Sequence, residues 1–414
     1  MFKELFKRYN YLIWTIGIGE VFVSFNTIVD MLAISILGVS SLAGYTLASS
    51  FIGTLYLCYD AINTFAYAEY ANKKDTKILN IASKLGFVAQ MITIFMIISI
   101  MLVLLQISGL SLKANQIALI TIVGRSIGSL FFNMTTPYYV YYRSEGKENI
   151  ATFSRIAASF VNMGLDVLAI VFKLGITGVI SATIISEIFE YSFLKIYSLY
   201  KKVRFNKVSY REAFSHIRHM LHGYGVQLSI QVNIIGVAMV ASRLGDESYA
   251  IYGIIQTINN QLLWFVYAND MIVEILYGEF KSRYDKAKQL FYDTLKVVIK
   301  PMILYSLIAS SIAPLLLEIL TYDNKLEISL GYLLFVTVFW IVVETYTSIL
   351  NGYVYILSKY NTKIFAELVS AILVISVTYF CTYTNNVYIT YFAGWVLGYI
   401  VMFYCEYRVI VKNL

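Results

Sequence analysis

An amide and a carboxylate lie four residues apart in a stretch that is mostly apolar or small. The stretch runs from Ile150 to Phe172, and the two polar residues are Asn162 and Asp166. On a helix this spacing places both side chains on one face. A carboxylate in the hydrocarbon of a membrane costs about 3 kcal/mol by insertion scales, so it should face a bundle interior or a water-filled cavity. The pair is therefore a candidate functional site.

Two further residues are candidates for the same site. Asp30 lies at the far end of the first hydrophobic run, and Thr183 lies in the run directly after Asp166. Two carboxylates in one dry pocket cannot both stay ionised cheaply, so one should hold a proton or both should share a cation. Asn carbonyl and Thr hydroxyl oxygens are neutral ligands that a sodium ion or a hydronium-like network can use. The alternative is a structural hydrogen-bond network that ties the three helices together.

The elements that must position these residues are transmembrane helices. The chain has 414 residues, of which 59% are hydrophobic and only 14% are charged, whereas soluble domains carry roughly 25% charged residues. Runs of mostly apolar residues long enough to cross a bilayer predict an all-α membrane protein with twelve spans. The predicted spans are 11–36, 45–68, 81–106, 116–142, 150–172, 176–199, 221–242, 248–276, 295–320, 327–356, 362–383 and 386–408.

The placement of the basic residues supports this count. If the N-terminus is cytoplasmic, the outer loops hold only Lys113, Lys173, Arg243 and Lys325 of the 32 Lys and Arg residues. Such a bias predicts a multi-pass protein of the cell membrane, with both termini in the cytoplasm. The basic residues are spread over many short loops and form no single patch, which argues against a nucleic-acid partner.

The two halves of the chain repeat. Leu37-Gly38 matches Leu244-Gly245, and Asp60 and Asp270 align at the same offset as Glu69 and Glu279. Six spans return the chain to its starting side, so the halves should be parallel repeats related by a pseudo-two-fold axis along the membrane normal. We predict a six-helix lobe over 1–200, a partly helical cytoplasmic linker over 201–220 and a second six-helix lobe over 221–414. A binding site between such lobes is typical of a transporter.

Acidic residues elsewhere in the spans are further candidates for a cavity or gate. Asp60 and Asp270 occupy equivalent places near the predicted cytoplasmic ends of spans two and eight. They either form a gate pair, one per lobe, or pair with basic residues at the membrane surface. Glu187 and Glu190 share a helical face with Thr183 and could continue a polar stripe toward the cytoplasm.

Spans seven and eight are rich in amides, among them Gln231, Gln256 and Asn260. Amides either line a substrate path or hold helices together. Arg125 is the only basic residue that the sequence places deep in a span, and it requires an acidic partner. Its spacing does not identify that partner.

Three histidines fall in and next to the linker, at His216, His219 and His222. They could line one helical stripe, either as a metal site or as an ordinary interfacial stripe, and the absence of nearby thiolates or clustered carboxylates favours the second. No paired-aspartate metal motif, His-Glu helix motif or phosphate loop is present, so we expect neither an enzyme nor a cofactor.

In several places the sequence resembles the multidrug and toxic compound extrusion (MATE) family, within the wider MOP flippase and exporter superfamily. The resemblance covers nearly the whole chain, and each motif is weak alone but specific in its order and spacing. The residues that carry it are Val29-Asp30, Leu37-Gly38, Leu42-Ala43, the segment from Glu69 to Lys77, the segment from Arg143 to Lys147, Asn162 with Leu165-Asp166, Gly178, Ala182-Thr183 with Ser186, and Leu244-Gly245.

The resemblance implies two six-helix lobes around a central cavity and an antiporter in which proton or sodium entry drives export of an organic, often cationic, compound. In several relatives the cation site is in the N-terminal lobe, and its residues correspond here to Asp30, Asn162, Asp166 and Thr183. We expect a monomer among membrane lipids that acts on a small molecule. The alternative is a flippase or exporter for a lipid-linked saccharide or a peptide product, although such proteins tend to line their cavity with several basic residues.

Overall fold

The computed structural model describes residues 2–56, 59, 61–63, 66, 70, 74–280, 283, 287–321, 327–357, 359–384 and 386–413. Within these helices, the described residues do not include the side chains at 18–20, 22–24, 218–220, 222, 223, 270, 271, 274, 278, 287, 355 and 360. The described helices are α1 (Phe2–Ser35), α2 (Val39–Leu55), α3 (Thr76–Leu104), α4 (Leu112–Ser144), α5 (Glu148–Val171), α6 (Gly175–Tyr200), α7 (Tyr210–Phe214), α8 (Ile217–Ala241), α9 (Gly245–Phe280), α10 (Ala287–Thr321), α11 (Leu330–Ile356), α12 (Tyr360–Thr382) and α13 (Val387–Asn413).

The helices agree with the predicted spans. Eleven of the spans each correspond to one long helix, and the second span begins on α2 and continues into the partly described region 56–73. Eight stretches of the described chain are helical, long and apolar enough to cross a membrane. Large hydrophobic side chains are exposed along these helices, including Phe95 at 77% and Ile372 at 67%. An exposed apolar surface of this kind requires lipid around it, so the prediction of an all-α membrane protein is confirmed.

The chain forms two compact units. The N-terminal unit comprises residues 29–247, and the C-terminal unit comprises 1–28 with 248–414. In the C-terminal unit the first part of α1 packs against α9, where the Tyr9 hydroxyl donates a 2.6 Å hydrogen bond to Asn269 Oδ1. The two lobes predicted from the repeat, over 1–200 and 221–414, stay a prediction.

The backbone repeats at the two equivalent glycines. Gly38 precedes α2 with φ 96° and ψ 170°, and Gly245 opens α9 with φ 83° and ψ 171°. Residues with a side chain rarely adopt this conformation. The Leu-Gly pairs that revealed the repeat in the sequence therefore mark two turns of the same geometry.

The loop before α4 is held against the turn before α9, within the N-terminal unit. Asp246 accepts hydrogen bonds from the Ser111 backbone N–H at 2.8 Å and from the Ser111 hydroxyl at 2.6 Å. A side chain at Gly109 would meet the backbone of Arg243 at 2.7 Å. Partial burial opposes ionisation of Asp246, but the hydrogen bonds from Ser111 outweigh it, and the pKa of this carboxyl lies below its usual range.

Residues 201–220, predicted as a linker, belong to the N-terminal unit and are partly helical. The short helix α7 lies within it, with Ser209 as its N-cap. Val208 and Ala213 are buried in an apolar cluster with residues of α3. Lys84 donates a 2.5 Å hydrogen bond to the Val208 carbonyl. His216 precedes α8, while the side chains of His219 and His222 lie outside the described residues, so the histidine stripe stays a prediction.

Replacing either turn glycine should destabilise the fold through the backbone alone. We expect Gly38→Ala and Gly245→Ala each to cost about 1 to 3 kcal/mol, because the required φ is unfavourable for alanine and no atom lies within 4 Å of the added Cβ. The measurement is the apparent Tm in detergent. Gly164→Ala is the matched control, since Gly164 has equally open surroundings inside α5, where alanine is favoured by about 1 kcal/mol. Equal effects of all three substitutions would contradict the inference that the backbone conformation at Gly38 and Gly245 disfavours alanine.

The Ser111–Asp246 contact should make stability depend on pH. Because the folded-state pKa of Asp246 is lowered, its contribution is present above the unfolded pKa of about 4 and is lost as pH falls through the folded value. We expect Asp246→Asn to lower the apparent Tm at pH 7 and to have little effect near pH 3. Glu247→Gln, at the exposed neighbouring position, is the control. A loss of stability in Asp246→Asn that is the same at both pH values would show that the charge is not involved.

Candidate functional site

Three helices of the N-terminal unit bring the predicted site residues together. Asp30 comes from α1, Asn162 and Asp166 from α5, and Thr183 from α6. Each is buried, with Asn162 and Asp166 at 0% exposure. The α5 pair meets as its spacing predicts, because the Asn162 amide donates a 2.9 Å hydrogen bond to Asp166 Oδ2. The polar face of α5 therefore points into the bundle and not toward lipid.

The Asn162 amide also joins the two acids. Its Nδ2 lies 3.2 Å from Asp30 Oδ1 as well as 2.9 Å from Asp166 Oδ2. One amide therefore contacts a carboxyl oxygen of each acid and bridges the two groups. Two carboxyls at this range favour a state in which they share a proton or a cation.

Two hydroxyl groups also contact these residues, and the sequence did not identify either of them as a site ligand. The Tyr45 hydroxyl, from α2, donates to Asp30 Oδ2 at 2.9 Å. The Ser186 hydroxyl, from α6, is 3.4 Å from Asn162 Oδ1. Ser186 was part of the family motif, whereas nothing in the spacing of Tyr45 could have revealed its role.

Thr183 lies beside the site, but its hydroxyl is turned to its own helix. Thr183 Oγ1 is 3.4 Å from the Val179 carbonyl, and the Thr183 carbonyl accepts a 2.8 Å hydrogen bond from Ser186. On α6, the hydroxyl that contacts Asn162 is therefore that of Ser186.

The acidic partner of Arg125 is Asp30, and a tyrosine extends the contact to Glu187. Arg125 Nη1 lies 3.6 Å from Asp30 Oδ2, and Arg125 Nη2 donates a 3.0 Å hydrogen bond to the Tyr56 hydroxyl. Tyr56 in turn donates to Glu187 Oε1 at 2.6 Å. A Cβ at Gly128 would lie 1.8 Å from Glu187 Oε2, so a side chain there would displace the Glu187 carboxylate. The Arg125 guanidinium therefore lies next to a site that contains three acids, Asp30, Asp166 and Glu187.

Several polar atoms of this site have no hydrogen-bond partner among the described residues. They include Asp166 Oδ1 and Glu187 Oε2, which are buried oxygens. Unsatisfied buried oxygens are costly. They are acceptors that a proton on a neighbouring oxygen, or a small cation, would satisfy.

Glu190 belongs to a second buried contact set on the same face of α6. It accepts a hydrogen bond from the Tyr139 hydroxyl, and Arg155 Nε lies 3.9 Å from Glu190 Oε1. The Arg155 guanidinium is 4.9 Å from the centre of the Tyr139 ring. Two further basic side chains are shielded from solvent: Arg155 on α5 is 10% exposed, and Lys363 on α12 of the C-terminal unit is fully buried. Arg155 lies about two turns from the start of its helix and Lys363 lies in the first turn of its helix, where the sequence suggested flanking charges. That Arg125 is the only basic residue deep in a span stays a prediction.

The other predicted cavity residues are distributed over both units. Gln231, on α8 of the N-terminal unit, packs so closely on α2 that a Cβ at Gly53 would lie 2.7 Å from its amide nitrogen. Gln256 is half-buried and Asn260 exposed on α9 of the C-terminal unit. Asp60 and the side chain of Asp270 lie outside the described residues, so the gate pair stays a prediction.

The sequence matches no protein-family model and no protein of curated function. Solved structures do match it over nearly the whole chain. An inward-facing multidrug resistance MATE family transporter of the MOP superfamily has 17% identity and a TM-score of 0.69, covering 94% of this chain and 95% of that one.

Two further solved structures have the same fold. A mutant of the Vibrio cholerae MATE transporter VcmN has 16% identity and a TM-score of 0.74, covering 99% of this chain and 97% of that one. A MOP superfamily transporter from Pyrococcus furiosus, for which a binding pocket of reversed polarity suggests a different function, has 17% identity and a TM-score of 0.68, covering 100% and 96%. The predicted resemblance is confirmed at the level of the fold, because this chain shares over nearly its whole length the fold of solved MATE transporters of the MOP superfamily.

Proposed function

We propose that the chain is a cation-coupled antiporter that exports hydrophobic, cationic small molecules by alternating access. The coupling ion is a proton or sodium, bound at Asp30 and Asp166. The protein acts as a monomer in the cell membrane, with both termini in the cytoplasm and without a cofactor. The observation that carries the proposal is the Asn162 amide, which holds two buried carboxyls together and leaves Asp166 Oδ1 without a partner.

The charges of this site suit an exchanger. Arg125 can neutralise one carboxylate at a time, and it lies next to Asp30 rather than Asp166. The neutral donors Tyr45 and Asn162 hold the acids without adding charge. Binding or loss of one cation therefore changes the net charge of the pocket without breaking an ion pair. A site of this kind can make the stability of one transport conformation depend on whether the ion is bound.

Substituting either acid should uncouple transport from the ion gradient. In proteoliposomes loaded with ethidium as the probe, we expect Asp30→Asn and Asp166→Asn each to reduce gradient-driven efflux more than tenfold, because the amide cannot exchange charge. The amount of folded protein in the membrane should be unchanged. Proton and sodium gradients are imposed separately, and Glu212→Gln, at an exposed position on α7, is the control. Full gradient-driven efflux in both variants would overturn the proposal.

A flippase for a lipid-linked saccharide is the second candidate, and a different function has been suggested for one MOP superfamily transporter of the same fold from the reversed polarity of its binding pocket. A phosphate-binding cavity needs basic residues that can reach the ligand. The buried basic residues Arg125, Arg155 and Lys363 each lie next to a carboxylate, which favours a cationic substrate.

A binding assay separates the two candidates. We expect the purified protein to bind ethidium with a change in its fluorescence, and an excess of a short polyprenyl phosphate to leave that binding unchanged, because the paired basic residues offer the phosphate no free cation. Displacement of ethidium by the uncharged polyprenol as well would indicate competition for an apolar surface only. Tight binding of the phosphate, with no binding of ethidium, would favour the flippase.

A further inference from the structure

The C-terminal unit contains a buried charge cluster that the proposed function does not use. At its centre is Lys363, in the first turn of α12. Its ammonium lies 2.7 Å from Glu367 Oε1, one turn along the same helix, and 2.7 Å from Glu406 Oε1 on α13. Lys363 and Glu406 are 0% exposed and Glu367 is 3% exposed. We name these residues, with Glu344 described next, the Lys363 cluster.

Glu344 is the third acid of the Lys363 cluster. It lies on α11, is buried, and accepts a hydrogen bond from the Tyr399 hydroxyl of α13. Helix α11 packs against α12 and α13, which carry the other residues of the cluster. The surroundings of Glu344 include aromatic rings, because Trp340 lies one turn earlier on α11 and its ring is 5.1 Å from the Tyr399 ring. Glu344 is therefore held by a neutral donor and not by a cation.

The acids of the cluster outnumber its cation. Glu367 and Glu406 share one ammonium, and no basic residue in the described part of the chain lies at ion-pair distance from Glu344. Helix α10 also packs on α11, but its residues Lys296, Lys300 and Glu318 are exposed, and Asp293 pairs with Lys296. Full ionisation would leave two uncompensated negative charges buried in the protein, which is strongly unfavourable.

Two buried oxygens, one in the Lys363 cluster and one next to it, lack a hydrogen-bond partner among the described residues. They are Glu406 Oε2 and Ser370 Oγ, which lies one turn beyond Glu367. Ser370 Oγ faces α13, where a Cβ at Gly398 would lie 2.6 Å from it. A proton on one of the carboxyls supplies the O–H that such oxygens can accept.

We propose that the Lys363 cluster is a proton-binding site of the C-terminal unit. One proton passes from a hydronium ion to a carboxylate among Glu344, Glu367 and Glu406, leaving a neutral carboxylic acid and a water molecule, while Lys363 stays an ammonium. A metal cation is disfavoured because this ammonium occupies the centre, and no described grouping of three His, Cys, Asp or Glu residues could hold a metal ion. The site binds its proton independently of Asp30 and Asp166.

Infrared spectroscopy of the purified chain tests this directly. A pH-difference spectrum records the carbonyl stretch of a buried protonated carboxyl. The test uses the background Asp30→Asn with Asp166→Asn, which removes the carboxyl pair of the N-terminal unit, so its outcome does not depend on the proposed transport. We expect a carboxyl band to remain in this background and to be lost on adding Glu344→Gln. Adding Glu318→Gln, at an exposed position on α10, should leave the band unchanged.

A milder substitution guards against loss of folding. Tyr399→Phe keeps every charge of the cluster but removes the hydrogen bond to Glu344, so it should shift the frequency of the same band. The proposal would be overturned if the band were absent from the background. It would also be overturned if the band were altered by none of the substitutions Glu344→Gln, Glu367→Gln, Glu406→Gln and Tyr399→Phe. A band that sodium chloride removes at constant pH would overturn it as well, because the site would then bind a metal cation.

Discussion

The cost of burying a carboxylate away from water is the constraint on which this structure depends. Four buried acids are met by a tyrosine hydroxyl, in the pairs Tyr45–Asp30, Tyr56–Glu187, Tyr139–Glu190 and Tyr399–Glu344. A phenol donates a hydrogen bond without adding charge, and its ring packs like any apolar side chain. The chain has 36 tyrosines, far more than two aromatic belts at the membrane surfaces require, and these pairs are part of the reason.

The kind of partner decides what a buried acid can do. An ion pair such as Arg155–Glu190 favours the charged form of the carboxylate, because protonation would remove the attraction between the two charges. A carboxyl held by hydroxyls and amides has no such restriction. Asp166 has the Asn162 amide on one oxygen and no described partner on the other. It is therefore the acid in the N-terminal unit that can change its charge with the least rearrangement.

The internal repeat sets the backbone but not the chemistry. Gly38 and Gly245 adopt the same conformation, and the equivalent helix pairs α5–α6 and α12–α13 each join a basic residue to a glutamate, as Arg155–Glu190 and Lys363–Glu406. Beyond that the two halves differ. Asn162 lies between two aspartates in one unit, whereas a lysine lies between two glutamates in the other. Equivalent helices thus support two distinct sites, because packing constrains the backbone more than it constrains each polar side chain.

The sequence by itself determined the helical spans, the membrane environment and the pairing of Asn162 with Asp166, because hydrophobic length and helical periodicity are local properties of one segment. Only the tertiary structure decided which residues meet across helices. It gave Arg125 its partner Asp30, turned Ser186 rather than Thr183 toward Asn162, and buried Lys363, which the sequence placed among flanking charges. Spacing along one helix does not specify the rotation of that helix against its neighbours, and this rotation determines every contact between them.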